Sequence, residues 1–315
     1  MTAAFMAVEG ELEWLKAKSR EWFGASDDLG TLNFLSCGTV LKAKEDICSG
    51  ETVSLSRPIR VGVQAEKALY HFGPPLREVL MMPKNDELSE DGQPPWSIES
   101  WSLVYHGYLV SHADAWSHCS WRGKCYGDRK AVDLVTAEGG AIAGEVRGDK
   151  PVFTRAVLVD LTTEKTPWLE PGRAVTVNDI ETALHRCNLD IRKGDCLLVR
   201  TGHTRSMHEA VGGFSPSRGN PGLHWSVPRF LATKQVSILG TDVPTDCIPP
   251  IIKDFQSPVH VLCLVGLGMP LLDNLDLEEL ATKCTARQNW AFAISIAPLK
   301  LQGGTGSPLN PIALL

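Results

Sequence analysis

The densest group of chemically active side chains lies in one short segment. Three of the nine histidines, His106, His112 and His118, fall within thirteen residues together with Asp114. In an extended segment, residues two apart project to the same face, which would set the His112 imidazole beside the Asp114 carboxylate. Mixed nitrogen and oxygen donors suit Zn²⁺ or Mn²⁺, and His118 could act as a general base. The alternative is a set of hydrogen-bonded polar groups on a strand, without a metal.

Aromatic residues are concentrated around the same segment. Seven of them fall within the 31 positions from Trp96 to Tyr126, whereas the whole chain is 7% aromatic. The residues that could form the wall of a pocket for a flat, largely apolar substrate are Trp101, Tyr108, Trp116 and Trp121. A hairpin core with cross-strand aromatic pairs would produce the same enrichment. Because the histidine segment runs through this region, we favour the pocket.

Several common catalytic motifs are missing from the sequence. Gly266-Leu267-Gly268 lacks the third glycine of a dinucleotide-binding loop, and His208-Glu209 lacks the second histidine of the H-E-x-x-H zinc motif. There is no Walker A sequence and no G-x-S-x-G nucleophile elbow. The nine cysteines include no C-x-x-C pair, which argues against zinc ribbons and thioredoxin-type chemistry.

Strand and helix patterns alternate along the chain and predict an α/β fold in a single domain over residues 1–315. The predicted elements are a helix within 1–25, a strand over 155–161, a helix from Thr176, a strand over 195–201, a helix within 225–235, a strand over 236–240, a helix opened by a capping box at Asp276 and a final strand over 292–296. Residues 58–95 are rich in Pro and Gly, which predicts long loops and a lid.

Composition and charge narrow the classes of partner. The 315 residues include 31 Lys+Arg against 37 Asp+Glu, a net charge of −6, and contain no basic run, so we expect no nucleic-acid partner. The longest apolar run, 259–272, is too short to span a bilayer. Charged residues at positions 9, 11, 16 and 18 stand where a signal peptide needs an apolar stretch. We therefore expect a cytoplasmic protein with no membrane contact.

The histidine segment resembles the motif H-x-G-T-H-x-D-x-P-x-H of the cyclase, or kynurenine formamidase-like, metal-dependent hydrolases. The matching stretch is 108–118, which contains His112, Asp114 and His118. Further stretches that are similar in kind and order to the longer, roughly 300-residue branch of that family are 27–33, 50–55, 194–202, 259–262, 273–277 and 304–309. The resemblance therefore extends over nearly the whole chain.

The resemblance implies a swivelling β/β/α fold, usually assembled as homodimers or homotetramers, that binds Zn²⁺ or Mn²⁺. The metal ligands correspond to His112 and Asp114, with His260 and Asp273 nearby in the site, and His118 matches the catalytic base. Two departures from the motif matter. Trp116 replaces the motif proline, and either Tyr108 replaces the first motif histidine or that histidine is displaced to His106. Losing an imidazole favours one ion over two, or no metal at all.

The sequence thus predicts a metal-dependent hydrolase of an amide, lactam or ester-like carbonyl in a small aromatic molecule. A bound metal lowers the pKa of water from about 15.7 towards 7, which makes deprotonation easier by ~12 kcal/mol. An alternative is a cyclase or dehydratase in natural-product biosynthesis, which could run on His118 with weak or no metal dependence. A third reading is a catalytically inactive protein that binds a small molecule in the same pocket.

Overall fold

A nine-stranded mixed sheet crosses the described part of the chain, which in this computed structural model comprises residues 2–62, 74–82, 96–138, 140–141, 150–209 and 219–315. The strands are β1 Thr52–Ser54, β2 Leu76–Met81, β3 Ile98–Ser102, β4 His112–Asp114, β5 Val135–Thr136, β6 Gly140–Ala141, β7 Val152–Asp160, β8 Ala174–Val175, β9 Cys196–Arg200, β10 Gly222–Leu223, β11 Ile238–Thr241, β12 Leu271–Asp273, β13 Ala291–Ile296, β14 Gly306–Pro308 and β15 Ile312–Leu314. The large sheet has the order β1-β15-β13-β7-β9-β11-β12-β4-β14. Its four central strands, β7, β9, β11 and β12, are parallel, and antiparallel strands flank them on both sides.

Helices connect the parallel strands, as an α/β fold requires. They are α1 Ala3–Phe23, α2 Cys37–Ala43, α3 Val177–Arg186, α4 His203–Glu209, α5 Val227–Thr233, α6 Pro258–His260, which continues as a π-helix over Val261–Leu267, and α7 Glu278–Arg287. Parallel strands need such crossovers, and α3 and α5 lie between β7, β9 and β11 in the chain. The predicted fold class is therefore confirmed. No helix among the described residues is both long and apolar enough to cross a membrane.

The predicted elements are present, with small shifts of their ends. The strands predicted over 155–161, 195–201, 236–240 and 292–296 are β7, β9, β11 and β13, and the helices predicted within 1–25 and 225–235 are α1 and α5. Thr176 caps α3 as predicted, because its hydroxyl accepts from the Asp179 amide while the Asp179 carboxylate accepts from the Thr176 amide. Helix α7 begins later than predicted, at Glu278. The Asp276 amide instead donates to the Leu55 carbonyl, outside the helix.

The apolar run 259–272 forms the buried centre of the fold. Every residue of the π-helix Val261–Leu267 is buried, and α1 packs against it with Leu12 and Leu15. Gly266 permits this approach, because a Cβ at that position would lie 3.1 Å from the Leu15 Cβ. Each large side chain buried here stabilises the fold by ~1.5–3 kcal/mol. The strand that follows, β12, is also fully buried, so its position is fixed by the same core.

The hairpin of β2 and β3 differs from the rest because every residue of both strands is exposed. It includes part of the segment 58–95, for which the sequence predicts long loops and a lid. Residues 63–73 and 83–95 of that segment lie outside the described residues, and its described part contains β2. Exposed apolar side chains on the hairpin include Leu80 and Trp101. Strand β3 ends four residues before His106, so the hairpin leads directly into the histidine segment.

Candidate metal centre

Two neighbouring strands set three of the predicted site residues side by side. Strands β4 and β12 are antiparallel, with His112 opposite Asp273 and Asp114 opposite Leu271. Residues opposite one another, and residues two apart, share one face of a sheet, so His112, Asp114 and Asp273 point the same way. All three are buried. The Thr245 hydroxyl donates to Oδ1 of Asp273 at 2.5 Å and fixes the direction of that carboxylate.

The His112 ring is oriented so that one of its two nitrogens faces the other residues of the cluster. Its Nδ1 lies 2.8 Å from the Val110 carbonyl oxygen, which can only accept, so Nδ1 carries a proton and donates it. In the neutral ring Nε2 then has a lone pair, and it lies 3.4 Å from Oδ1 of Asp114. A backbone acceptor on the second ring nitrogen is the usual support of a metal-binding histidine. His112 is thus prepared to bind through Nε2.

Asp114 lies at the centre of the cluster. Its Oδ1 lies 2.8 Å from His106 Nδ1, 3.4 Å from His112 Nε2 and 4.0 Å from His118 Nε2. Its Oδ2 lies 3.5 Å from His260 Nε2. Neither oxygen has a hydrogen-bond partner among the described residues. The imidazole nitrogens therefore lie close to these oxygens but are not oriented for hydrogen bonding. A buried carboxylate without hydrogen bonds is costly, and a cation beside it would remove that cost.

The rings of His106 and His118 form the more exposed side of the cluster. They stack in parallel, with centroids 3.8 Å apart and planes 8° from each other. Their side chains are 21% and 31% exposed, whereas that of Asp114 is 1% exposed. His118 reaches this place because a 3₁₀ turn over Trp116–His118 follows β4. Two protonated rings at this distance would repel each other, so the stack favours at least one neutral ring.

His260 approaches the cluster from the helical side. It ends α6, and its Nε2 lies 3.4 Å from Oδ2 of Asp273 and 3.5 Å from Oδ2 of Asp114. Asp246 holds the other edge of the ring, with Oδ2 2.6 Å from His260 Nδ1. The Asp246 carboxylate also accepts hydrogen bonds from the amides of Val259 and His260. These bonds direct Nε2 of His260 towards the two carboxylates.

Burial and charge act against each other in this cluster. Burial alone would raise the pKa of Asp114, but the surrounding imidazoles, first those of His118 and His112, hold its pKa well below the usual value. Burial lowers the pKa of His118 to about 4, although the Asp114 carboxylate opposes this shift. Burial also favours neutral His260, but the nearby carboxylates of Asp114 and Asp273 and the hydrogen bond to Asp246 raise its pKa well above the ordinary value. The cluster therefore keeps the Asp114 carboxylate charged.

The donor atoms form two overlapping sets that fit a metal ion. His106, Asp114 and His118 form one set, and His112, Asp114 and Asp273 form the other; within each, the candidate ligand atoms lie within 4.8 Å of one another. Ligands of a tetrahedral Zn²⁺, about 2.0–2.1 Å from the metal, are roughly 3.3 Å apart. The separation of His112 Nε2 and Asp114 Oδ1, 3.4 Å, is close to that value. Imidazole and carboxylate donors suit both Zn²⁺ and Mn²⁺.

The four aromatic residues predicted to line a pocket occupy different surroundings. Trp116 is 5% exposed, and its indole N–H donates to a backbone carbonyl at 2.9 Å. Trp121 stacks on Phe255, with centroids 4.3 Å apart and planes 8° from each other. Tyr108 is 8% exposed, whereas Trp101, on β3, is 43% exposed. Trp101 is therefore the most accessible of the four, and Trp116 and Tyr108 are largely packed.

Two residues of the cluster are not among the predicted site residues. His106 enters the sequence interpretation only as an alternative to Tyr108, and the structure places its ring against Asp114. Asp246 is absent from the interpretation altogether. It follows the parallel strand β11 by five residues. Side chains beyond the carboxyl ends of parallel strands often bind ligands, and that signal could have identified it.

The chain is similar to several proteins of known structure. The family model described as "Putative cyclase" matches residues 53–245. A solved structure described as a novel cyclase has a TM-score of 0.82 at 25% sequence identity, and the match covers 94% of this chain and 97% of that one. An isatin hydrolase bound to the product analogue thioisatinate has a TM-score of 0.56 at 19% identity, over 89% and 99% of the two chains. Isatin hydrolase A from Labrenzia aggregata, bound to benzyl benzoate, has a TM-score of 0.53 at 21% identity, over 84% and 93%.

These matches agree with the geometry of the cluster. A search of curated protein sequences gives no match. The family model covers more than half of the chain and includes His112, Asp114 and His118, whereas His260 and Asp273 lie beyond its range and reach the cluster through the fold. The novel cyclase aligns over nearly the whole of both chains, so the swivelling α/β fold is shared. The chain belongs to this cyclase family.

Proposed function

We propose that this protein is a metal-dependent hydrolase that acts on an amide, lactam or ester-like carbonyl of a small aromatic molecule. The observation that carries the proposal is Asp114, a buried carboxylate between four imidazoles, whose two oxygens have no hydrogen-bond partner in the part of the chain that the structure describes. A bound cation would satisfy this charge. Proteins named isatin hydrolase share the fold, which supports hydrolysis as the class of reaction.

His112 and Asp114 would hold the ion, and His260 and Asp273 would complete or support the site. We propose one Zn²⁺ or Mn²⁺ per chain, because the two donor sets share Asp114. A bound ion would supply Lewis-acid polarisation of the carbonyl and would lower the pKa of water to about 7. The role of these four residues is then to hold their nitrogen and oxygen donor atoms close to one another.

His118 is the proposed general base. Its side chain is the most exposed of the four imidazoles in the cluster, at 31%, so it can meet a water molecule or a substrate. It would take a proton from the attacking water and return it to the leaving nitrogen or oxygen. The C–N or C–O bond then breaks, and a carboxylic acid forms together with an amine or an alcohol. A positioned base of this kind contributes roughly 10²–10⁴-fold to the rate.

The aromatic residues near the cluster would bind the substrate. Tyr108 and Trp116 lie within the motif stretch 108–118, Trp101 precedes it and Trp121 follows it. Aromatic and apolar side chains commonly form the walls of small-molecule sites. A flat substrate could lie against such rings, with its carbonyl directed at Asp114 and His118. The substrate class is therefore a compact aromatic molecule.

A cyclase or dehydratase is the second candidate. The exposure of His118 favours it, since a base that reaches the substrate can remove an acidic proton beside a carbonyl without a metal. The two candidate reactions differ in whether they need the metal ion. Hydrolysis should stop when the ion is removed, and cyclisation should continue.

Metal analysis combined with a substrate panel tests the proposal. Protein purified without added metal should contain about one equivalent of Zn or Mn, and it should hydrolyse some members of a panel of aromatic amides, lactams and esters. His112→Ala and Asp114→Ala should lose both the metal and the activity. His185→Ala is the matched control, because that histidine is exposed on α3, away from the cluster.

Other outcomes separate the candidates. Metal-free protein that still converts a precursor, with the activity lost in His118→Ala, would establish the cyclase. Binding of aromatic compounds without turnover would establish a binding protein. A wild-type chain that binds neither Zn²⁺ nor Mn²⁺ would contradict the hydrolase.

The assembly and the location of the protein stay predictions. The exposed apolar side chains of the β2–β3 hairpin are consistent with the homodimer or homotetramer that the resemblance implies. Sedimentation of the purified chain would test this assembly. A cytoplasmic location is likewise proposed, and fractionation of the cells would test it.

A further inference from the structure

The place of His106 is not accounted for by a site in which His112 and Asp114 hold the ion. Its Nδ1 lies 2.8 Å from Oδ1 of Asp114, the shortest nitrogen–oxygen distance of that carboxylate among the described residues. An aligned N–H at this distance would make a strong, charge-assisted hydrogen bond. Instead, neither Nδ1 nor Oδ1 has a hydrogen-bond partner within the described ranges of the chain. Two buried polar atoms that are close but not aligned with each other are placed as ligands of a shared third atom.

The other ring nitrogen of His106 supports this orientation. Its Nε2 lies 3.2 Å from the hydroxyl oxygen of Thr305, immediately before β14. If Nε2 donates to that hydroxyl, Nδ1 keeps its lone pair and presents it to the cluster. His112 has the same arrangement with its nitrogens exchanged, because its Nδ1 donates to the Val110 carbonyl and its Nε2 faces Asp114. Such partners fix the ring of a metal-binding histidine.

Strand β14 also leaves room for the His106 ring. Gly306 lies opposite Asp114 in the antiparallel ladder of β14 and β4. A Cβ at Gly306 would lie 2.6 Å from His106 Cε1 and 2.5 Å from the Ala113 carbonyl oxygen, closer than real contacts allow. The ring thus occupies the space that a side chain at position 306 would need.

Tyr108 has different surroundings. Its side chain is 8% exposed, and its backbone carbonyl accepts a hydrogen bond from the buried Arg57 guanidinium at 3.0 Å. The chain turns between the two residues at Gly107, whose φ is 134°. A phenol binds a metal only when it is deprotonated, which its pKa of about 10 disfavours at neutral pH. Tyr108 is therefore a poor candidate for the missing ligand.

We propose that His106 is a metal ligand, binding through Nδ1 the ion that Asp114 Oδ1 also binds, and that Thr305 and Gly306 position it. This inference rests on the proposed function, because it requires that the cluster hold a metal ion. It also accounts for the tyrosine at the first histidine position of the motif, since the imidazole is supplied from two residues earlier.

The affinity of the full chain for Zn²⁺, measured by competition with a chelator, tests the proposal. His106→Ala and the more conservative His106→Asn should weaken binding by at least about tenfold, and Thr305→Val by a smaller factor, up to about tenfold. Tyr108→Phe and Tyr108→His should leave the affinity unchanged. His185→Ala is again the control, and circular dichroism confirms that each variant is folded.

The spectrum of the Co²⁺-loaded protein gives a readout that does not depend on activity. It should shift in His106→Ala and His106→Asn, because the ion loses a nitrogen ligand, and it should be unchanged in Tyr108→Phe. Zn²⁺ affinities of both His106 variants equal to that of the wild type would overturn the proposal while leaving the proposed function intact. So would tighter binding by Tyr108→His, which would show that this ligand position is vacant in the natural chain. If the wild type binds no metal, both proposals fail together.

Discussion

The cluster has two halves that are built in different ways. His112, Asp114 and Asp273, which we call the strand half, stand on β4 and β12, where the antiparallel ladder fixes their positions. His106, His118 and His260, the outer half, stand outside the strands and are 21%, 31% and 15% exposed. The side chains of the strand half are at most 3% exposed.

The two halves therefore depend on different interactions. In the strand half, backbone hydrogen bonds and the alternation of the pleat already direct the side chains to one face. In the outer half, single side-chain contacts give the direction: Thr305 for His106, Asp246 for His260, and the stacked ring of His106 for His118. We expect the strand half to depend mainly on its donors, because Thr245 only adds a hydrogen bond to a carboxylate that the sheet already places. The outer half should also fail when a supporting residue is removed.

The largest effect is expected for Asp114→Asn, which removes the carboxylate that both donor sets share. Zn²⁺ affinity should fall by more than about a hundredfold, because this exceeds the loss of a supporting residue. Wild-type protein at a free Zn²⁺ concentration of 100 Kd should gain ~2.7 kcal/mol of stability. The variant should gain no more than about 0.4 kcal/mol in the same thermal-unfolding measurement.

Asp254→Asn is the matched control for this change, since Asp254 is exposed and lies outside the cluster. Its thermal shift with Zn²⁺ should equal that of the wild type. A normal metal-dependent shift in Asp114→Asn would show that the ion, if any, binds elsewhere.

Removal of the metal should separate the two halves directly. With a chelator present, hydrogen exchange should rise at residues 105–108 and 116–119, because the ion no longer holds the outer half. The amides of β4 and β12 should stay protected, because they remain bonded within the sheet. Hydrogen exchange measured by mass spectrometry with and without the chelator tests this prediction. An equal rise in both halves would contradict the proposed difference between the strand half and the outer half.

The regular parts of the fold could be predicted from sequence because their signals are local. The buried strand β7 and the capped helix α3 each carry an apolar run or a cap within a few residues. The start of α7 could not be predicted, because the amide of Asp276 is taken by the carbonyl of Leu55, more than two hundred residues earlier. A contact of that separation leaves no local pattern.

The same difference between local signals and long-range contacts applies to the residues of the cluster. His112 and Asp114 could be identified from spacing alone, since their relation depends only on the period of a strand. The position of His106 depends on Gly306 and Thr305, about two hundred residues away, and so spacing could not decide between it and Tyr108. The resemblance indicated His260 and Asp273; the sheet brings Asp273 to the cluster, and α6 brings His260 to Asp114.

A smaller effect is expected for Asp246→Asn, which keeps the size of the side chain but weakens its hold on His260. Metal affinity should fall by roughly tenfold to a hundredfold, as is usual for the partner of a ligating histidine. Because the amide keeps only one of the two acceptor oxygens that bind the Val259 amide, the His260 amide and the His260 ring, the metal-free protein should lose about 1–3 kcal/mol of unfolding free energy. Chelator competition and denaturant unfolding measure the two quantities.

Measuring both metal affinity and unfolding free energy shows whether Asp246 positions His260 or only stabilises the fold. If Asp246→Asn lowers stability and leaves the metal affinity unchanged, Asp246 only caps α6, and the outer half does not need it to direct His260. Asp254→Asn should change neither quantity.

The smallest effect on metal affinity is expected for His118→Ala. His118 Nε2 lies farthest from Asp114, at 4.0 Å, and its side chain is the most exposed of the four imidazoles, so we assign it to proton transfer. The kcat should therefore fall by roughly 10²–10⁴-fold while the metal content stays at the wild-type value. Because His118 also belongs to a donor set with His106 and Asp114, the opposite result is informative. A loss of metal in His118→Ala, with His118→Gln giving the same loss, would make His118 a ligand and would leave the base to be sought elsewhere.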